Sequence, residues 1–132
     1  MIFVDTSFWI AHARPGDGYH ADAARLTREY ARARLVTSNL VLGETWSFLR
    51  RSEGQEGAFE WLDRTRADVK VAVSRIDEAL EDEAWAWMRA HRERPYFFVK
   101  ATSIALMRNL GLEEALAFGG AFAAAGLVEL RA

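Results

Sequence analysis

The 132-residue chain contains no cysteine. Disulfides and zinc–thiolate centres are therefore excluded. It has two prolines, Pro15 and Pro95, and two lysines, Lys70 and Lys100, against fifteen arginines. The arginine excess reads as compositional bias. No apolar run approaches the ~20 residues that span a bilayer, so no membrane partner is expected. The opening MIFVDTSFWI is apolar but has no basic leader and carries Asp5, unlike an export signal, which predicts a cytoplasmic protein. Positive charge is not in excess: the formal net charge is −2. That argues against a broad polybasic face and tight nonspecific nucleic-acid binding, but leaves room for a local basic groove. There is no repeat, low-complexity stretch or linker. One domain over residues 1–132, with one core, follows from the length.

What is present is an ordinary globular mixture, 51% hydrophobic and 27% charged. Ile2–Asp5 is a short apolar run that reads as a buried strand. Thr6 or Ser7 can cap a helix after it. Pro15–Gly18 is a turn cluster. Tyr19–Arg34 reads as an amphipathic helix with Ala23, Leu26, Tyr30 and Ala33 on one face. Leu35–Thr37 is a second strand, and Ser38 or Asn39 caps a helix over Leu40–Arg51. Another helix covers Gly54–Arg66, and Val69–Val73 alternates as a third strand. A long helix spans Asp77–Arg92. After Pro95, Val99–Leu110 is helical and ends at Gly111, which suits a left-handed cap. Ala115–Phe118 is a fourth strand, Ala121–Ala125 a short helix, and Leu127–Leu130 a fifth strand. Alternation of this kind predicts an α/β protein with a mostly parallel sheet and helices on both faces. Sites in such sheets form at the carboxyl ends of the strands.

Asp5 closes the first strand, Glu44 lies one turn into the helix after the second, Lys100 opens the helix after Pro95, and Gly119–Gly120 follow the fourth strand. A carboxylate ending a buried strand is costly unless a metal, a cation or helix N–H groups satisfy it. Two converging carboxylates suit a hard cation such as Mg²⁺, which takes oxygen ligands and keeps several waters. On the pattern alone, a helix-capping Asp5 and a surface Glu44 are an equal reading.

Four segments carry a resemblance: VDTSFWIA at Val4–Ala11, LVLGETWSFLR at Leu40–Arg50 with its glutamate, ATSIALMRNLG at Ala101–Gly111 with Thr102, and ALAF…FAAAGLVEL over Ala115–Leu130. Together, and in this order along nearly the whole chain, they resemble the PIN-domain family, and within it the VapC-type toxin ribonucleases. The resemblance implies a three-layer fold with a five-stranded, mostly parallel sheet of order 3-2-1-4-5. It also implies a Mg²⁺- or Mn²⁺-dependent endoribonuclease, usually a homodimer, with RNA as substrate and an antitoxin as partner. The family's first two acids match Asp5 and Glu44, as catalytic and metal-binding residues, and its serine or threonine matches Thr6, with Ser7 beside it. Its third acid falls at Lys100, its fourth at Gly119, and a further aspartate at Ala121.

Three carboxylates are thus replaced while the surrounding motifs persist. An ammonium within ~4 Å of a carboxylate gains roughly 4 kcal/mol of Coulomb attraction at an effective dielectric near 20, before desolvation. Lys100 is therefore expected to pair with Asp5, Glu44 or both, and to compete with any metal there. Three functions follow: an impaired toxin-type nuclease; an active one using Asp5 and Glu44 with a weakly held metal; or a non-catalytic module that binds RNA or protein. A phosphoryl-transfer protein is disfavoured, because Ser7 stands where haloacid dehalogenase phosphatases need a second aspartate. His12, His20 and His91 read as surface residues, as does the acidic run from Asp77 to Glu83. Trp9 and Trp46 are expected in the core. Trp85 and Trp87, two apart on one helix, cannot share a face, so one of them is expected at an interface.

Overall fold

The first strand, β1 (Ile2–Val4), is buried on both faces and pairs in parallel with a neighbour on each side. That explains its uninterrupted apolar sequence. The structure, a computed structural model, describes all 132 residues. The remaining elements are α1 (Thr6–Ala13), α2 (His20–Glu29), β2 (Leu35–Ser38), α3 (Asn39–Glu53), α4 (Gln55–Ala67), β3 (Val71–Ser74), α5 (Glu78–Ala90), α6 (Phe98–Leu110), β4 (Glu114–Leu116), α7 (Ala121–Ala124) and β5 (Val128–Glu129). The sheet has five strands in the order β3-β2-β1-β4-β5, and every pairing is parallel. The expected α/β architecture and strand order are both present.

Local chemistry sets several boundaries. Ser38 caps α3 by accepting from the Val41 N–H at 3.0 Å. Asn39, the other candidate, instead accepts from the Ile76 N–H at 2.7 Å and ties the start of α3 to the end of β3. Asp77 caps α5 through the Leu80 N–H. Gly111 ends α6 at φ 68°, the left-handed conformation expected of it. The helix expected over Tyr19–Arg34 is shorter. It stops at Glu29, and Tyr30–Ala33 turn to deliver the chain to β2. Val69, expected in a strand, lies in the turn before β3 and is 94% exposed.

One apolar cluster joins the sheet to both helical layers. Phe3 and Phe122 meet in it with ring centroids 6.0 Å apart. Trp9 stands edge-on to the buried Trp61, and its indole N–H donates to Thr37 Oγ1, which in turn donates to the Val4 carbonyl. Trp46, expected in the core, is only half-buried. It leans on the exposed Phe59 at 5.1 Å beside a cleft between α3, α4 and β3. Trp85 and Trp87 do point to different surroundings. Trp85 is exposed and stacked on Phe98, whereas Trp87 packs between His91, Tyr96 and the Arg108 guanidinium.

Leu26, on α2, is fully buried. Leu26→Ala should lower unfolding free energy by about 3 kcal/mol in urea titration. Val69→Ala, in the exposed turn, should change it by less than about 0.5 kcal/mol.

Candidate active site

Asp5 follows β1 directly, and its N–H continues the ladder by donating to the Leu116 carbonyl of β4 at 3.0 Å. This holds the residue at the carboxyl end of the two central strands, with 1% of its surface exposed. It is also the N-cap of α1, as the helix-capping reading of Asp5 has it and in place of Thr6 or Ser7. Its Oδ2 accepts three hydrogen bonds: from the Ser7 N–H at 3.1 Å, from Ser7 Oγ at 2.6 Å and from Lys100 Nζ at 2.6 Å. Ser7 Oγ in turn accepts from the Phe118 N–H at 2.9 Å, linking the carboxylate to the segment after β4.

Lys100 lies in the first turn of α6 and reaches inward, its side chain 21% exposed. Its ammonium sits 4.9 Å from the centroid of the buried Phe122 ring as well as on Asp5. A carboxylate on one side and a π face on the other hold the charge in a fixed place. The expected ion pair is therefore present, and its partner is Asp5. Glu44 does not join it. It is exposed on α3 and takes part in neither of the chain's two salt bridges.

The remaining candidates divide. Ser7, not Thr6, holds the carboxylate, and the buried Thr6 Oγ1 has no partner. Thr102 turns its hydroxyl to the Val99 carbonyl at 2.6 Å and serves its own helix. Gly119 and Gly120 have φ of 101° and 85°, a conformation that side chains rarely adopt. Beside them lies a residue that sequence reasoning passed over. Glu129, at the end of β5, accepts from the N–H groups of Gly120, Phe122 and Ala123 at 3.0–3.3 Å. Its signal was faint: a lone carboxylate ending the last strand, nine residues past Gly120. His12 stacks on Phe8, and its pKa is pushed below 6.5 by desolvation and then by the positive charges of His20 and Arg64.

These residues do not fit a divalent cation. Asp5 Oδ2 already has three donors, and no group of three His, Asp or Glu side chains is placed to hold a metal. Gly119 and Ala121 bring no side-chain oxygen. A dication 4 Å from the Lys100 ammonium would meet roughly 8 kcal/mol of repulsion at an effective dielectric of 20. What the arrangement offers is a tethered monovalent cation on a buried carboxylate.

A family model of the PIN domain matches residues 2–126. The 23S rRNA-specific endonuclease VapC20 of Mycobacterium tuberculosis is 47% identical over 131 residues, 99% of this chain and 98% of that protein. The crystal structure of Mycobacterium tuberculosis VapC20, described as a sarcin-ricin loop cleaving toxin, superposes with a TM-score of 0.94 at 45% identity over all of both chains. A toxin–antitoxin complex from Klebsiella pneumoniae shares the fold at a TM-score of 0.65 and 12% identity, covering 92% of this chain and 88% of that one.

Calorimetric titration of the protein with Mn²⁺ should give no binding in the micromolar range. Lys100→Met should lower stability by about 3 kcal/mol, since it leaves the Asp5 carboxylate buried without its cation. Clear micromolar binding by the unaltered chain would show that the lysine does not exclude the metal.

Proposed function

The chain belongs to the PIN domain family, and from that premise we propose that it is a VapC-type toxin homologue whose metal-dependent RNA hydrolysis is impaired. Nucleases of this kind work with a metal, which polarises the scissile phosphate and activates a water. The observation that carries the reading is the Lys100 ammonium, 2.6 Å from Asp5 Oδ2. A lysine there neutralises the carboxylate and keeps the strand end buried without strain. It does not generate hydroxide. An ammonium lacks the open coordination positions from which a metal lowers the pKa of water.

In this reading Asp5 and Glu44 are the remaining members of an acidic set, and Asp5 has become structural. Ser7 orients it. The RNA that the protein meets is ribosomal, of the class named for its VapC20 relatives. An antitoxin and a second copy of the chain are the partners this reading assigns. The protein engages RNA and cuts it poorly.

The test is a cleavage assay on ribosomal RNA with Mn²⁺, comparing the chain with a Lys100→Asp, Ala121→Asp double variant. Ala121 is the better second position. It opens α7, where a carboxylate suits the helix end, whereas an aspartate at Gly119 would have to adopt a φ of 101°. The original chain should cut no faster than its Asp5→Asn variant. The double variant should gain Mn²⁺-dependent cleavage that Asp5→Asn then removes. Cleavage by the original chain that is lost in Asp5→Asn would instead make it an active ribonuclease using Asp5 and Glu44.

A further inference from the structure

A column of near-parallel rings runs outward from the site. Phe8 stacks on His12 at 6.2 Å and 15° and on Phe118 at 5.9 Å and 21°, and Phe118 stacks on Tyr19 at 4.4 Å and 6°. The outermost ring, Tyr19, is 50% exposed. Tyr19 and Phe118 both line a cavity of about 560 Å³. Asp22, Gly120, Glu129 and Arg131 are among the other residues of its wall. The cavity adjoins the ion pair through one continuous link, since the Phe118 N–H donates to Ser7 Oγ and Ser7 Oγ donates to Asp5.

We propose that this cavity receives an unpaired guanine base of single-stranded RNA. The inference rests on the RNA-binding reading above and gives that reading a contact surface. A flat base laid on Tyr19 adds a further member to a column that is already ordered, so little side-chain entropy is lost on binding. Base–aromatic stacking of this kind is the usual source of affinity for single strands. There is room for it, because a side-chain carbon built on Gly119 or Gly120 would meet no atom within 4 Å.

Asp22 selects the base. Its carboxylate is half-buried and takes part in neither of the chain's salt bridges. A carboxylate is an acceptor only. Guanine alone among the four bases presents two neighbouring donors, N1–H and N2–H, on one edge. Adenine and cytosine set a ring-nitrogen acceptor beside their amino group, and uracil flanks its single donor with carbonyls. Each would turn a lone pair toward Asp22. The other carboxylate in the wall does not compete, because Glu129 already accepts three backbone N–H groups. Arg131 is exposed at the rim, where it can meet the adjoining phosphate.

The test is fluorescence anisotropy on the full chain in EDTA, with two labelled single-stranded RNA hexamers. One carries a single central guanosine and the other is all adenosine. The guanosine hexamer should bind several-fold tighter. Tyr19→Ala should weaken both by about tenfold, and Tyr19→Phe should restore them. Asp22→Asn should remove the preference for guanosine and leave adenosine binding in place. Equal Kd values for the original chain, Tyr19→Ala and Asp22→Asn would overturn the pocket while leaving RNA binding intact. A parallel NMR titration with 5′-GMP separates the two ideas. If neither hexamer binds but GMP shifts the Tyr19 ring resonances and AMP does not, the pocket stands and the RNA reading falls. No response to hexamer or to GMP refutes the pocket.

Discussion

A carboxylate at the end of a strand buried on both faces has to be satisfied by a cation or by hydrogen-bond donors, and Asp5 meets both Ser7 and, at 2.6 Å, the ammonium of Lys100. Much of the surrounding architecture is arranged about that contact. The central position of β1 delivers the carboxylate, and the first turn of α6 delivers the lysine. Ser7 holds the same oxygen from the other side while also receiving the Phe118 N–H, so the segments after β1 and β4 are fixed to one atom. Phe122 closes the cluster by offering its ring to the ammonium. A pair of this kind contributes little net stability over an apolar replacement, but losing one partner is costly because the other stays buried and charged. In the proposed reading, this pair lets a PIN scaffold hold its shape with lysine, glycine and alanine at positions 100, 119 and 121.

In the proposed reading, the scaffold and the chemistry come apart at identifiable places. Glu129 still gathers the N–H groups at the start of α7, so the loop after β4 keeps its course although Gly119 and Ala121 carry no acid. The near-complete overlap with a VapC20 crystal structure at a TM-score of 0.94 therefore speaks for the backbone. Backbone likeness does not by itself carry a reaction, because function resides in the side chains placed on the fold. In the proposed reading, what has been lost is negative charge in the crevice. The stacked rings beside it remain.

Much of the fold was legible beforehand because it rests on local rules. A buried parallel strand needs an unbroken apolar run, Ser38 before an apolar helix face is a cap, and Gly111 after the last helical turn is a left-handed stop. The misreadings arose where local rules were silent. Thr6 and Ser7 look equivalent as caps, but the turn makes Asp5 the cap of α1 and turns Ser7, not Thr6, toward its carboxylate. Trp46 falls in a motif that suggested the core, yet its neighbours on α4 and β3 leave it half open. Glu44 looked like a partner for Asp5, but the helix phase of α3 turns it to solvent.

Residue type and spacing along one chain carry the order of elements and the parallel sheet, and the four motifs carry the resemblance to the PIN family that sets Lys100, Gly119 and Ala121 against expected acids. Which acid the lysine pairs with, the bridging of Asp5 to the Phe118 N–H by the Ser7 hydroxyl, and the alignment of Phe8, Phe118 and Tyr19 into one stack emerge only in three dimensions. Those facts join residues up to 111 positions apart. Distances of that kind are set by how the helices settle on the sheet, and no local propensity encodes them.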